Sequence, residues 1–309
     1  MLIFVNERFI LLGITKPFQN YQIMSRDLIV RNNHLIKNPL SIDDLVYGST
    51  YAYGTLDEYD RMVEFDKIGD GPVVVYDRDH IGRGVQIEEL SKKQVKLSLP
   101  LPATAYDIDV LFHLAQRAAE LWGNNLIIDP DYESRINLDD IGSQKKADYE
   151  SSIGILASWP SSDPGPTCLP CALFPISVEN KTLEAFGSET NYDVFAQYLH
   201  ERQKIDAYYT RGLLTSLPDV EGVSSLYVII DQGICILPFK PKDSYRDGDD
   251  VKECDNYLIA YWHGENLLKM EYDAFLEKVS TEKKKPFDAS HWQLPAMSED
   301  ELVAIFNSR

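Results

Sequence analysis

Apolar residues change their period several times along the chain, and each change predicts an element. Leu2-Ile3-Phe4-Val5 and Phe9-Ile10-Leu11-Leu12 flank Asn6-Glu7-Arg8 and read as two strands about a turn. Val73-Val74-Val75-Tyr76 is a continuous apolar strand, and Val95-Lys96-Leu97-Ser98-Leu99 alternates with period two. Gly48, Gly54, Gly69 and Gly71 punctuate segments carrying Tyr51, Tyr53, Val63 and Phe65. Residues 1–100 therefore read as a strand-rich N-terminal region.

The clearest helix follows Pro100 and Pro102. Thr104 can cap it, and Asp107 three residues later completes a capping-box pattern. Ile108, Leu111, Leu114, Ala115, Ala118, Leu121 and Trp122 then recur at helical spacing, and Gly123 supplies the stop. Leu126-Ile127-Ile128 is a short strand. A polar stretch runs to about Glu150, and Ile153-Gly154-Ile155-Leu156 reads as another strand.

Four prolines and a glycine between Pro160 and Pro170 predict a loop. Ala172 to Val178 reads as a strand. Leu183 to Arg202 is helical in character, with Val194, Phe195, Tyr198 and Leu199 as its buried stripe. Leu226–Ile230 and Ile234–Leu237 predict a hairpin around Asp231-Gln232-Gly233. Tyr257–Trp262 and Leu267–Met270 predict a second one, turning at His263-Gly264-Glu265-Asn266. Short helices follow at Tyr272–Val279 and Glu299–Phe306, the latter capped by Ser298 with Glu301 three residues on.

The elements do not follow a regular βαβ rhythm, and two late hairpins imply antiparallel pairing. The expected class is α+β, mainly antiparallel sheets with a few packed amphipathic helices. Residues 101–309 form the α+β region, either as a second domain or integrated with the first hundred residues. No repeat with a 20–50-residue period is visible.

Composition sharpens this picture. A hydrophobic fraction of 44%, with 18 Tyr, 12 Phe and 4 Trp, supplies a substantial core. The 49 acidic residues outnumber 30 basic ones, for a net charge of −19. Such a surface repels nucleic acid and anionic membranes and attracts basic partners. Lys283-Lys284-Lys285 is the densest basic run and reads as solvated surface. The N-terminus lacks the features of a signal peptide, and Leu226–Ile230 stops at Asp231, far short of a membrane span. The expectation is a cytoplasmic protein.

Three local constellations are candidates for chemistry. Cys168-Leu169-Pro170-Cys171 has the spacing of half a zinc site or a redox dithiol. It lacks a second ligand pair, and Phe174-Pro175-Ile176 argues for extended chain where a redox motif would open a helix. The two thiols therefore read as structural, and no metal or cofactor is expected. Asp77-Arg78-Asp79-His80-Ile81-Gly82-Arg83-Gly84 follows a strong strand, where loops position catalytic groups. Asp77, Asp79, His80 and Arg83 are its candidate catalytic residues, and an ion-paired structural turn is the competing reading. The Asp243–Asp250 run resembles a calcium loop, but Tyr245 and Cys254 fall where ligands belong. It reads instead as a solvated, mobile acidic loop, with Asp243, Asp247, Asp249 and Asp250 as binding residues.

No nucleophile elbow, His-Glu-x-x-His pair or kinase set occurs. His34, His80, His113, His200, His263 and His291 are dispersed. His113 reads as a partly buried structural residue of the helix.

In Val73–Leu90 and Val95–Trp122 the chain resembles an uncharacterised bacterial family, domain of unknown function 4299. The resemblance rests on Ile81-Gly82-Arg83-Gly84 and on Leu97-Ser-Leu-Pro followed by Asp107-Ile108 at the start of the long helix. The late hairpins and Tyr272-Asp273-Ala274-Phe275 are compatible with it. The resemblance implies a bacterial cytosolic protein and carries no activity or site residue. The preferred functional reading is a non-catalytic acidic protein that binds a basic protein partner, as in immunity or effector neutralisation. The alternative is a hydrolase or transferase using the Asp77–Gly84 loop.

Overall fold

The computed structural model describes residues 24–33, 40–56, 62–63, 73–160, 165–247, 250–280 and 282–308. The two N-terminal strands predicted around Asn6-Glu7-Arg8 lie outside the described residues, as do Gly69 and Gly71. The described residues divide into two compact units, one up to Ile205 and the other from Asp206 onwards. The described residues are α+β with mostly antiparallel sheets, as expected. Among them, no helix is long and apolar enough to cross a membrane.

The first unit is built on an eight-stranded sheet. Its order is Met62–Val63, Tyr51–Leu56, Val73–Asp77, Val85–Ser91, Gln94–Pro100, Ser25–Arg31, Leu126–Asp129 and Ser134–Asn137. The Ala105–Leu121 helix starts with the expected capping box of Thr104 and Asp107. Its Ile108, Leu111, Leu114, Ala115 and Ala118 enter one core with Leu28, Val30, Val75, Ile87, Leu97 and Leu99 from the sheet. Gly123 lies at φ 59°, the left-handed conformation that ends a helix.

The strand Ser25–Arg31 also buries Arg26 on its inward face. Two Arg26 nitrogens reach the Asp129 carboxylate at 2.7 Å, and its Nε reaches Asp148 at 3.0 Å. Burial opposes the guanidinium charge, but the bonds to Asp129 and the nearby Asp148 outweigh it and hold the pKa above the ordinary arginine value.

Asp148 explains the first correction. The polar stretch and the strand expected at residues 153–156 are one helix, Ile141–Ala157. Its buried positions are Ile141, Asp148, Ser152 and Leu156. Two of these are polar, because Asp148 meets Arg26 and Ser152 Oγ accepts the Ala103 N–H at 3.3 Å. A helix that turns polar side chains inward leaves no apolar period to read.

The helix expected over residues 183–202 is two, Asn180–Ala185 and Glu189–Gln203. They part at Gly187, where a Cβ would stand 2.1 Å from the backbone nitrogen of Ala157. This close backbone approach requires glycine. The inward stripe is Tyr192, Phe195, Ala196 and Leu199, whereas Val194 is exposed and Tyr198 half-buried. The strand expected from Ala172 to Val178 is confined to Ile176–Val178, paired with Thr167–Leu169.

The second unit contains two four-stranded sheets. One has the order Gly212–Thr215, Ser224–Ile229, Asn256–His263, Asn266–Glu271, and the other Ala207–Tyr209, Ile234–Pro238, His291–Leu294, Lys285–Pro286. The expected hairpin of Tyr257–Trp262 with Leu267–Met270 is present. The expected hairpin of Leu226–Ile230 with Ile234–Leu237 is not. Ser224–Ile229 pairs with Gly212–Thr215 and Asn256–His263, whereas Ile234–Pro238 pairs with Ala207–Tyr209 and His291–Leu294. The chain instead changes sheet between them, so that Tyr227 and Ile229 share a core with Cys235 and Leu237. Both strands bury residues on both faces, so neither shows an alternation that would reveal its neighbour. Helices Tyr272–Lys278 and Glu299–Asn307 add Phe275, Leu276 and Leu302 to this core.

Candidate functional site

The Asp77–Gly84 loop brings some of its candidate residues together and turns one away. Asp77 ends its strand and accepts the Asp79 N–H at 2.9 Å and the Thr50 hydroxyl at 3.2 Å. His80 Nδ1 lies 3.4 Å from the same carboxylate, and its ring stacks on Tyr106 with centroids 3.7 Å apart. His200 is close, at 6.3 Å between ring centroids, but its Nδ1 is occupied in accepting the Ile81 N–H at 3.0 Å. Asp79 and His80 are exposed.

Arg83 is only 3% exposed and points into the protein. Its Nε and Nη1 donate to the carbonyls of Pro170 and Pro102 at 2.5 and 2.7 Å. The rest of Ile81-Gly82-Arg83-Gly84 is bound equally closely. The N–H groups of Arg83 and Gly84 each donate to Asp107 at 3.0 Å, and the Gly82 carbonyl accepts from Gln203 at 2.7 Å and Ala172 at 3.1 Å. A Cβ on Gly82 would stand 2.3 Å from Asp107 Oδ2. Gly84 takes φ 73°, and a Cβ there would stand 2.7 Å from Val74 Cγ1. The element is a junction of backbone groups, with the N–H groups of Ile81, Arg83 and Gly84 committed to His200 and Asp107.

The Cys168 and Cys171 side chains differ in environment. Cys168 is exposed, whereas Cys171 is buried. Burial pushes the Cys171 thiol up to about 12, against the partial counter-effect of Arg83. The chain after Cys171 leads to the strand Ile176–Val178 rather than into a helix. Among the described residues, no group of three or more His, Cys, Asp or Glu side chains is placed to hold a metal ion.

The acidic run forms a hairpin. Ser244–Asp247 pairs antiparallel with Asp250–Glu253, in the register Ser244↔Glu253 to Asp247↔Asp250. The expected loop is thus corrected: Asp-Gly between two short runs is a hairpin signal. Neither strand joins a larger sheet. Asp250, Val251, Lys252 and Glu253 are all exposed, Val251 to 66%. Lys252 pairs with Asp247. Asp249 lies outside the described residues.

Asp243 has a different place from the other three acids. It sits at the hairpin base, where its carboxylate accepts the hydroxyls of Ser225 and Tyr227 at 2.5 Å each. Its carbonyl accepts the Cys254 N–H at 3.0 Å, closing the base. Burial, then the charge of Asp243, raise the Tyr227 pKa well above the ordinary tyrosine value.

One arrangement escapes the sequence reading altogether. His291 Nδ1 lies 2.8 Å from Asp288 Oδ1, and His291 Nε2 lies 2.8 Å from the Tyr209 hydroxyl. The Asp288–His291 spacing of three residues is visible in the sequence, but Tyr209 is 82 residues away and carries no local signal.

Residues 25–305 of the chain match the family described as Domain of unknown function (DUF4299). No curated protein and no solved structure matches the chain.

Proposed function

The chain belongs to the DUF4299 family, a domain of unknown function, and from the geometry of its second unit we propose that it binds a basic protein through the 244–253 hairpin. The observation that carries this reading is the exposed Asp250–Glu253 strand, with Val251 open to solvent between charged neighbours. A hairpin outside any larger sheet serves no purpose in sheet pairing, and an exposed aliphatic side chain at its centre offers an apolar contact inside a charged rim. Asp247, Asp249 and Asp250 supply the attraction, and the net charge of −19 steers basic partners from a distance. Asp243 positions the hairpin through Ser225 and Tyr227. The reading takes the protein to be bacterial and cytoplasmic, with a neutralising or immunity-type role.

The test begins with affinity capture from the native cell under a salt gradient, with partners identified by mass. Association of the purified partner is then timed with wild type and with Asp247→Asn, Asp249→Asn, Asp250→Asn combined. The triple variant is expected to associate about tenfold more slowly at low salt, with the difference vanishing as salt screens charge beyond ~8 Å. Val251→Asp is expected to speed dissociation. An on-rate unchanged in the triple variant and insensitive to salt removes the hairpin from the interaction.

A further inference from the structure

The second unit also holds a hydrogen-bonded relay that docking at the hairpin does not use. Asp288 follows the strand Lys285–Pro286, and His291 opens the strand His291–Leu294. The Asp288 side chain is 0% exposed, and the Ser290 N–H donates to its Oδ1 at 2.8 Å, which fixes the carboxylate. His291 Nδ1 stands 2.8 Å from Oδ1 and 3.0 Å from Oδ2. A carboxylate accepts, so Nδ1 carries the hydrogen and Nε2 presents its lone pair to the Tyr209 hydroxyl at 2.8 Å.

Strand pairing fixes the third member. Tyr209 pairs with Ile236, and His291 pairs with Pro238, two residues further along the same central strand. Residues two apart share a face, so Tyr209 and His291 lie on one side of the sheet. Tyr209 is 7% exposed, and the His291 side chain keeps 13% of its surface open. The order carboxylate, imidazole, hydroxyl is that of a nucleophile activated by an oriented base.

We propose that Tyr209, His291 and Asp288 form an acyl-transfer site for neutral aryl esters of carboxylic acids, with Tyr209 as nucleophile and His291 as general base. His291 Nε2 takes the Tyr209 proton while Oη bonds to the ester carbonyl carbon, and the carbonyl electron pair moves onto oxygen. As the pair returns, the bond to the leaving aryloxy oxygen breaks, and His291 gives its proton to that oxygen. Water then repeats the sequence in reverse. It loses a proton to His291, bonds to the acyl carbon and expels Tyr209 Oη, which takes the proton back. One aryl ester and one water yield one acid and one phenol, with no change of oxidation state.

Asp288 is a positioning residue that holds the tautomer and steadies the imidazolium. The acyl-tyrosine is itself a phenyl ester, so acylation goes forward only from esters whose leaving group departs at least as readily as a phenol with a pKa of about 10, which makes aryl esters the substrate class. A net charge of −19 disfavours anionic esters and leaves neutral aryl esters as the substrate class.

The experiment uses the full chain and p-nitrophenyl acetate. Release of p-nitrophenolate is followed from mixing, and acid-quenched protein is digested and mapped for acetyl groups. The expected result is a stoichiometric burst with one acetyl group on Tyr209. Tyr209→Phe, which removes only the hydroxyl, is expected to lose the burst. Asp288→Asn is expected to slow acylation about 100-fold or more and to change its pH profile, with partial recovery in Asp288→Glu, which a purely structural role would not produce. If Tyr209→Phe does not fold, mapping of the unsubstituted chain decides. Acetyl groups confined to lysines or the N-terminus, an unlabelled Tyr209, or hydrolysis unchanged in Tyr209→Phe overturn the proposal.

Discussion

Asp107 accepts the backbone N–H of Gly84 at 3.0 Å, from the first turn of a helix that begins 21 residues after that glycine. The same carboxylate accepts the N–H groups of Arg83 and Thr104 and the Thr104 hydroxyl. One side chain thus caps the main helix and fixes the Ile81–Gly84 element against it. The element named by the family resemblance is, in this chain, a structural junction.

Asp107→Ala strands three buried N–H donors. At roughly 1–3 kcal/mol for each buried donor left without a partner, the loss is expected to reach about 3 kcal/mol or more. Gly82→Ala, whose Cβ would press on the same carboxylate, is expected to cost about 1–3 kcal/mol. Chemical denaturation of both variants checks this, and wild-type midpoints would show that the junction carries no stability.

Leu111 and Leu114 are fully buried in the core beneath the sheet. Leu111→Ala and Leu114→Ala are each expected to destabilise by about 2–5 kcal/mol, measured by denaturant titration. The spread within that range reflects how far neighbours relax into the space left. Melting within error of wild type for both would contradict the packing described above.

Stability is expected to fall at alkaline pH. Burial raises the Cys171 thiol from 9.0 to about 12 and the Cys235 thiol from 9.0 to about 11. Between these limits the unfolded chain has released protons that the folded chain still holds, so stability decreases as pH rises. The contribution is complete below about pH 9 and is lost progressively as pH climbs through the folded values. Melting temperatures measured from pH 8 to 11 should decline, and Cys171→Ser should flatten the slope. Iodoacetamide at pH 8 should label Cys168 well before Cys171. Equal labelling rates in the folded protein would count against a buried thiol.

Local pattern determined a good part of this protein. Thr104, Asp107 and Gly123 bracket the main helix because capping and left-handed termination act within a few residues. Ser298 and Glu301 start the last helix for the same reason, and Leu28 and Val30 face inward because strand side chains alternate. The α+β class followed from elements of this kind, as did the family resemblance.

Only the tertiary structure decided which elements meet. The Ile141–Ala157 helix was hidden because its inward positions include Asp148, whose partner Arg26 is 122 residues away. Ser224–Ile229 and Ile234–Pro238 are neighbours in sequence but belong to different sheets, since strands buried on both faces carry no sign of their partners. The candidate residues divided in the same way. Asp77 and His80 stay together at one strand end, whereas Arg83 is drawn inward by the Pro102 and Pro170 carbonyls. Tyr209 reaches His291 because both pair with one central strand, at positions two residues apart. Side-chain alternation and helix caps are short-range physics, written within a few residues. Burial of charge and strand pairing depend on groups that folding alone brings within 3 Å, and no local stretch of sequence contains both partners.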